Sequence, residues 1–189
     1  MNASEIIEKL EIFPVITAVK NDKELKAALE TDSGFVFVLY GDLSNIHEIV
    51  SRIKQAGKFA IVHIDLVDGL SAREAAVDFL FDTAHADGVI STKIQLLRKA
   101  KSKGMITVQR FFLLDSLSLK KIHMQSDFRD VDLVEILPGC MPRIIKRVCG
   151  SISVPVIAGG LIQEKEDVVQ ALAAGAAGVS SSDPGVWVM

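Results

Sequence analysis

The sequence predicts one (β/α)8 barrel of the TIM type, spanning residues 1–189 as a single domain. Three observations predict it. Eight short apolar runs alternate with segments of helical period, and strands apolar on both faces that alternate with helices signal a parallel sheet covered by helices. Polar residues inside these runs gather toward their C-terminal ends, the face on which such barrels place their sites. The first strand is not followed by the glycine fingerprint of a dinucleotide-binding fold, which weighs against an open doubly wound sheet.

Residues 4–11 read as a short helix. Pro14 opens the run PVITAVK, and residues 23–30 are helical in pattern. FVFVLY (35–40) is a near-continuous strand; Ser44 is placed to cap a helix that runs to Gln55 and stops at Gly57. FAIVHIDLV is the third strand, and a helix is expected from Ser71 through SAREAAVDFLFDTA. GVIST, MITVQRFFLL and LVEILPG follow as strands, separated by KIQLLRKAKSKG and SLSLKKIHMQ as helices. MPRIIKRVCG is a helix with Pro142 in its first turn. The last units are PVIAGG, a charged amphipathic segment, and a short run ending in Ser180-Ser181-Ser182. Only DPGVWVM remains after Ser182, too little for a last helix. The N-terminal helix is expected to replace that truncated element, because chain start and last helix are neighbours in a closed barrel. Trp187 reads as a packing anchor.

Composition sets the class. With 49% apolar and 24% charged residues, the chain is expected to be globular and soluble. No run approaches a membrane span, and the N-terminus lacks a signal-peptide core, so a cytoplasmic location is expected. Cys140 and Cys149 suggest neither a disulfide framework nor a metal spacing. His47, His85 and His123 form no metal-binding pattern, and no metal or cofactor is implied. Self-association is compatible with the sequence, which does not fix an oligomeric state.

Net charge is −3 but unevenly spread: residues 93–147 hold twelve Lys/Arg and five Asp/Glu, and the remainder nine against nineteen. An asymmetry of this kind suits a polyanion on one side, although ordinary solvated helix surface gives the same pattern.

Strand parity selects the inward-facing polar groups. His63 and Asp65 share parity along IVHIDL, Glu135 stands between Val134 and Ile136, Thr107 and Gln109 share one face, and Arg110 and Lys20 lie near strand ends. Glu135 with Arg110 or Lys20 also reads as a structural ion pair. The turns Gly159-Gly160 and Ser180-Ser181 follow strands seven and eight, where barrels recurrently bind phosphate on turn amides and hydroxyls.

The segments IVHIDLVDGL, GVIST, TVQRFFLLDS, VEILPGCMP and PVIAGGLI, with the Ser-rich end before Trp187, resemble the glycerol-3-phosphate-responsive antiterminators of glycerol uptake operons over nearly the whole chain. The ending SSSDPGVW departs from the family's usual one, in which a Thr and an Asn follow the first Ser. The resemblance implies a regulator that senses glycerol 3-phosphate as effector and binds leader mRNA to prevent termination. It implies that Asp65, Gln109, Arg110, Glu135, Gly159, Gly160, Ser180 and Ser181 surround the ligand; Lys20, at the end of the first strand, is expected to join their polar ring. RNA is then expected on three neighbouring helices, through Arg98, Lys99, Lys101 and Lys103, then Lys120 and Lys121, then Arg143, Lys146 and Arg147. The alternative is a barrel enzyme on a small phosphorylated substrate, with Asp65 and Glu135 as acid and base and Lys20 as electrophile.

Overall fold

The computed structural model describes residues 3–125 and 128–189. Eight strands close a barrel in sequence order, every neighbouring pair parallel. They are β1 (Val15–Val19), β2 (Phe35–Val38), β3 (Phe59–His63), β4 (Gly88–Ser91), β5 (Ile106–Phe112), β6 (Leu133–Leu137), β7 (Val156–Gly159) and β8 (Gly178–Ser181). The helices are α1 (Ala3–Ile12), α2 (Asp22–Leu29), α3 (Ile46–Gln55), α4 (Glu74–Asp82), α5 (Ile94–Ser102), α6 (Ser116–Met124), α7 (Pro142–Cys149) and α8 (Lys165–Ala173). No described helix is long and apolar enough to cross a membrane.

Period-two alternation divides the core in two. One face of each strand packs against the helices: Val36, Val38, Val62, Val134 and Ile136 join α-helical Leu25, Ile53, Leu80, Leu97 and Ile145 there. The other face fills the barrel with Ile16, Phe37, Ile61, Ile90, Val108, Leu133 and Ile157. Ile6 and Leu10 of α1 belong to this inner cluster and are fully buried. Each such side chain removed from water stabilises the fold by about 1.5–3 kcal/mol. The tail after β8 forms only a turn, and α1 makes the eighth helix. Trp187 anchors the tail, donating from Nε1 to the Ser181 carbonyl at 2.7 Å.

Two helix starts are among the boundaries that differ from the sequence reading. Helix α3 begins two residues beyond Ser44, because the Asn45 and Asp42 side chains tie up the preceding loop. Helix α4 begins at Glu74 rather than Ser71, and residues 72–73 form a bend.

Candidate ligand site at the C-terminal end of the barrel

The site begins with parity on β5 and β6. Arg110 lies beside Glu135 in the parallel register, and both side chains point inward among apolar neighbours. Both are buried, so a charge there is costly unless a partner holds it. The Arg110 Nε donates to Glu135 Oε2 at 2.6 Å, and the Ser180 hydroxyl donates to Oε1 at 2.6 Å. Gly159 of β7 lies between them: a Cβ there would stand 2.5 Å from Ser180 Oγ and 2.6 Å from Glu135 Oε1. Glycine at 159 is thus the condition for this three-strand network.

Above the network is a cavity of about 460 Å³, whose polar lining includes Lys20, Arg110, Glu135, Gly160, Gln163, Ser180, Ser181, Ser182 and Asp183. Arg110 uses only Nε on the protein; its Nη groups have no hydrogen-bond partner among the described residues. Lys20 Nζ reaches Ser182 Oγ at 2.6 Å, bridging the ends of β1 and β8. The turn after β7 passes through two residues of positive φ, Gly160 at 74° and Leu161 at 58°, a path that turns backbone groups toward the cavity edge. Ser181 contributes differently from Ser180. Its hydroxyl donates to the Ile162 carbonyl at 2.7 Å and accepts from the Asp183 amide at 3.0 Å, holding the two turns together.

Two members of the expected polar ring lie elsewhere. Gln109 faces the helix layer, because it is one residue out of parity with Arg110. Its amide exchanges two hydrogen bonds with Gln125 beyond α6, at 3.1 and 2.7 Å. Asp65 was expected inward on the parity of His63, but β3 ends at His63 and residues 64–66 form a 3-10 turn, which ends the alternation. Asp65 accepts instead from Lys93 at 3.0 Å, Ser91 at 2.9 Å and the Thr92 amide at 3.1 Å. Burial pushes its carboxyl pKa up, but these bonds outweigh burial and hold it below the ordinary value.

His63 does face inward, buried, with Nδ1 lacking a partner among the described residues. Burial first, and then the Arg110 charge, push its pKa down to about 4. Sequence reasoning missed Gln163 as a cavity residue, with nothing local to signal it; Ser182 and Asp183, which also line the cavity, close the Ser-rich turn that marked this edge.

Residues 15–187 match the model of the family described as glycerol-3-phosphate responsive antiterminator. The chain belongs to this family. It is 42% identical over 184 residues, 97% of its length and 96% of the relative's, to the uncharacterized protein YgcP of Escherichia coli K12. Among solved antiterminator structures, it is similar to the glycerol uptake operon antiterminator regulatory protein of Listeria monocytogenes. That likeness has a TM-score of 0.88 at 34% identity, covering 93% of this chain and 95% of the other. A glycerol uptake operon antiterminator-related protein of Thermotoga maritima gives 0.81 at 31%, covering 93% and 98%. A deoxyribose phosphate aldolase of Aeropyrum pernix gives 0.68 at 17% identity, covering 100% and 97%, and shares the fold alone.

On the outer ring of this antiterminator-family barrel, the nine basic residues separate into two groups. The four on α5 and its C-cap are ion-paired: Arg98 with Asp130 at 3.1 Å, Lys99 with Asp78 at 3.1 Å, Lys101 with Asp132 at 2.5 Å, and the C-cap Lys103 with Asp78 and Asp82 at 2.9 Å each. Lys120 and Lys121 on α6, and Arg143, Lys146 and Arg147 on α7, are exposed and without an ion pair among the described residues.

Proposed function

We propose that this chain is a transcription antiterminator that responds to glycerol 3-phosphate and binds leader mRNA of genes for glycerol uptake and metabolism, in the cytoplasm where that RNA is made. The observation that carries the ligand reading is Arg110. It lines the cavity with its Nη donors unpartnered among the described residues, across from Lys20 and the Gly160-Leu161 turn. A phosphate group would receive charge-assisted hydrogen bonds from both cations and from turn amides. The glycerol hydroxyls would then lie over Glu135 and Ser180, since an ionised carboxylate accepts more hydrogen bonds than the two that Glu135 receives from the protein.

Family membership supports a regulator. The ligand would act by binding one conformation better than another, since equal binding shifts nothing. The enzyme alternative requires Asp65 and Glu135 as an acid–base pair. Asp65 is committed to Lys93, Ser91 and Thr92 and does not line the cavity, which favours the sensor.

The test is a gel-shift titration of a glycerol-operon leader transcript with and without glycerol 3-phosphate, alongside a turnover assay on a phosphosugar panel. Ligand-dependent RNA binding without turnover is the expected result. Turnover, or the absence of any ligand-dependent shift at low salt, overturns the proposal.

A further inference from the structure

The basic half of the outer ring is two surfaces rather than one. On α5 every cation faces an acid on α4 or on the segment before β6, and a surface ion pair leaves little net field for a third charge. Helices α6 and α7 hold five Lys/Arg and no Asp/Glu at all.

Spacing puts these charges on continuous faces. Leu119 and Ile122 of α6 are buried, which leaves Leu117, Lys120, Lys121 and Met124 at i, i+3, i+4 and i+7 along one exposed stripe. Ile145 and Val148 of α7 are buried, and Arg143, Lys146 and Arg147 share its exposed face by the same rule. The two helices follow β5 and β6 and are therefore neighbours on the ring. The face has limits on both sides: α5 is neutralised, and α8 opens with Glu166 and Asp167.

We propose that the RNA-docking surface is this outer face of α6 and α7, and that α5 takes no part in it. The proposal rests on the RNA-binding reading above and states where that binding occurs. Five cations without an ion pair among the described residues suit a phosphate backbone, which supplies most of the affinity in such contacts; of these, Lys121 lies near enough to the N-cap Asp115 for the two charges to interact. The apolar residues along the stripe suit nucleobases. Leu117 and Met124 are 63% and 80% exposed, and Phe112, the last residue of β5, is 48% exposed. Unpaired bases pack on side chains of this kind. Both helices follow strands of the ligand site: α6 comes after the strand that carries Arg110, and α7 after the strand that carries Glu135.

The experiment titrates a labelled leader transcript, terminator hairpin included, at about 0.1 M salt with saturating glycerol 3-phosphate. It compares the wild type with two multiple variants of the full chain. The first carries Lys120→Gln, Lys121→Gln, Arg143→Gln, Lys146→Gln and Arg147→Gln; the second carries Arg98→Gln and Lys99→Gln. The fivefold variant is expected to bind on the order of a hundredfold more weakly, its salt slope shallower by about 0.7 for each lost contact to single-stranded phosphate. The α5 variant is expected to stay within about twofold of wild type. Lys120→Gln/Lys121→Gln and Arg143→Gln/Arg147→Gln as separate pairs, each expected to give a partial loss, cover the case in which the fivefold variant fails to fold.

Wild-type affinity in a folded fivefold variant, or in both pairs, overturns the surface. So does an equal loss in the α5 variant. In both of these cases the RNA-binding reading stands. Failure of the wild type itself to bind the transcript overturns that reading, and this surface with it.

Discussion

The Ser180 hydroxyl on β8 reaches the Glu135 carboxylate on β6 at 2.6 Å, across the intervening strand β7. The contact exists because position 159 has no side chain; a Cβ would lie inside the contact distance of both partners. Gly159→Ala is therefore expected to break the bond and overpack the barrel interior, at a cost of about 1–3 kcal/mol. Urea denaturation measures it as a lower midpoint at unchanged slope. A variant as stable as wild type would show that the network can shift aside without loss.

Arg110 is the only cation bonded to Glu135 among the described residues. Its removal by Arg110→Met leaves a buried carboxylate held by one hydroxyl. The expected loss is about 3–5 kcal/mol, the penalty for breaking one side of a buried pair. The double variant Arg110→Met/Glu135→Leu removes the stranded charge and strands only the Ser180 hydroxyl, about 1–3 kcal/mol. It is expected to be more stable than the single variant, measured in parallel denaturant curves. A double variant less stable than the single one would falsify the account of Glu135 as an otherwise uncompensated charge.

Particular residues show what the sequence made legible. Glu135 was readable because a charge flanked by apolar residues in a buried strand has one direction to point, and Arg110 because it lies near the C-terminal end of its strand; alternation holds through both strands. Asp65 was misread since alternation carries no information past the last strand residue, and β3 stops at His63. Gln109 entered the ring through the family resemblance, although it stands next to Arg110 and adjacent strand residues face opposite ways. The bonds from Ser180 to Glu135 and from Lys20 to Ser182 join residues 45 and 162 positions apart; only barrel closure brings them together. The same holds for α5, whose basic pattern is visible along the chain while its neutralising partners on α4 are not.

His63 ties stability to pH. Its pKa is near 4 in the folded chain against 6.5 ordinarily, because burial and the Arg110 charge disfavour the imidazolium. Above pH 6.5 both states are neutral here and this group makes no difference. As pH falls from 6.5 toward 4, the unfolded chain takes up a proton that the folded chain refuses, and stability falls. Below about 4 the folded chain is protonated too and the loss levels off, at on the order of 3 kcal/mol. Asp65, whose folded pKa is lowered, adds its own loss only below its ordinary value of 3.8, a separate window. Unfolding free energies of wild type and His63→Leu between pH 7 and pH 4 test the first window. Wild type is expected to lose stability relative to the variant, and parallel curves would rule the effect out.

The division between Lys20 and Gln109 tests the cavity itself. Lys20 Nζ sits at the cavity with an exchangeable partner in Ser182, so a phosphate can take it over. Lys20→Met removes a hydrogen bond to a charged group, about 1.5–3 kcal/mol, and is expected to weaken glycerol 3-phosphate binding by about ten- to a hundredfold. Gln109→Leu breaks the amide pair with Gln125 in the helix layer and is expected to lower the melting temperature while leaving affinity for the ligand unchanged. Thermal-shift titrations separate the two effects, because ligand at a hundred times its Kd raises native stability by about 2.7 kcal/mol whatever the starting melting point. Equal weakening in both variants would place the ligand between β5 and α6 instead of over Arg110. A shift that survives Lys20→Met intact would remove the β1–β8 end of the cavity from the phosphate site and leave Arg110 and the Gly160 turn to hold the anion.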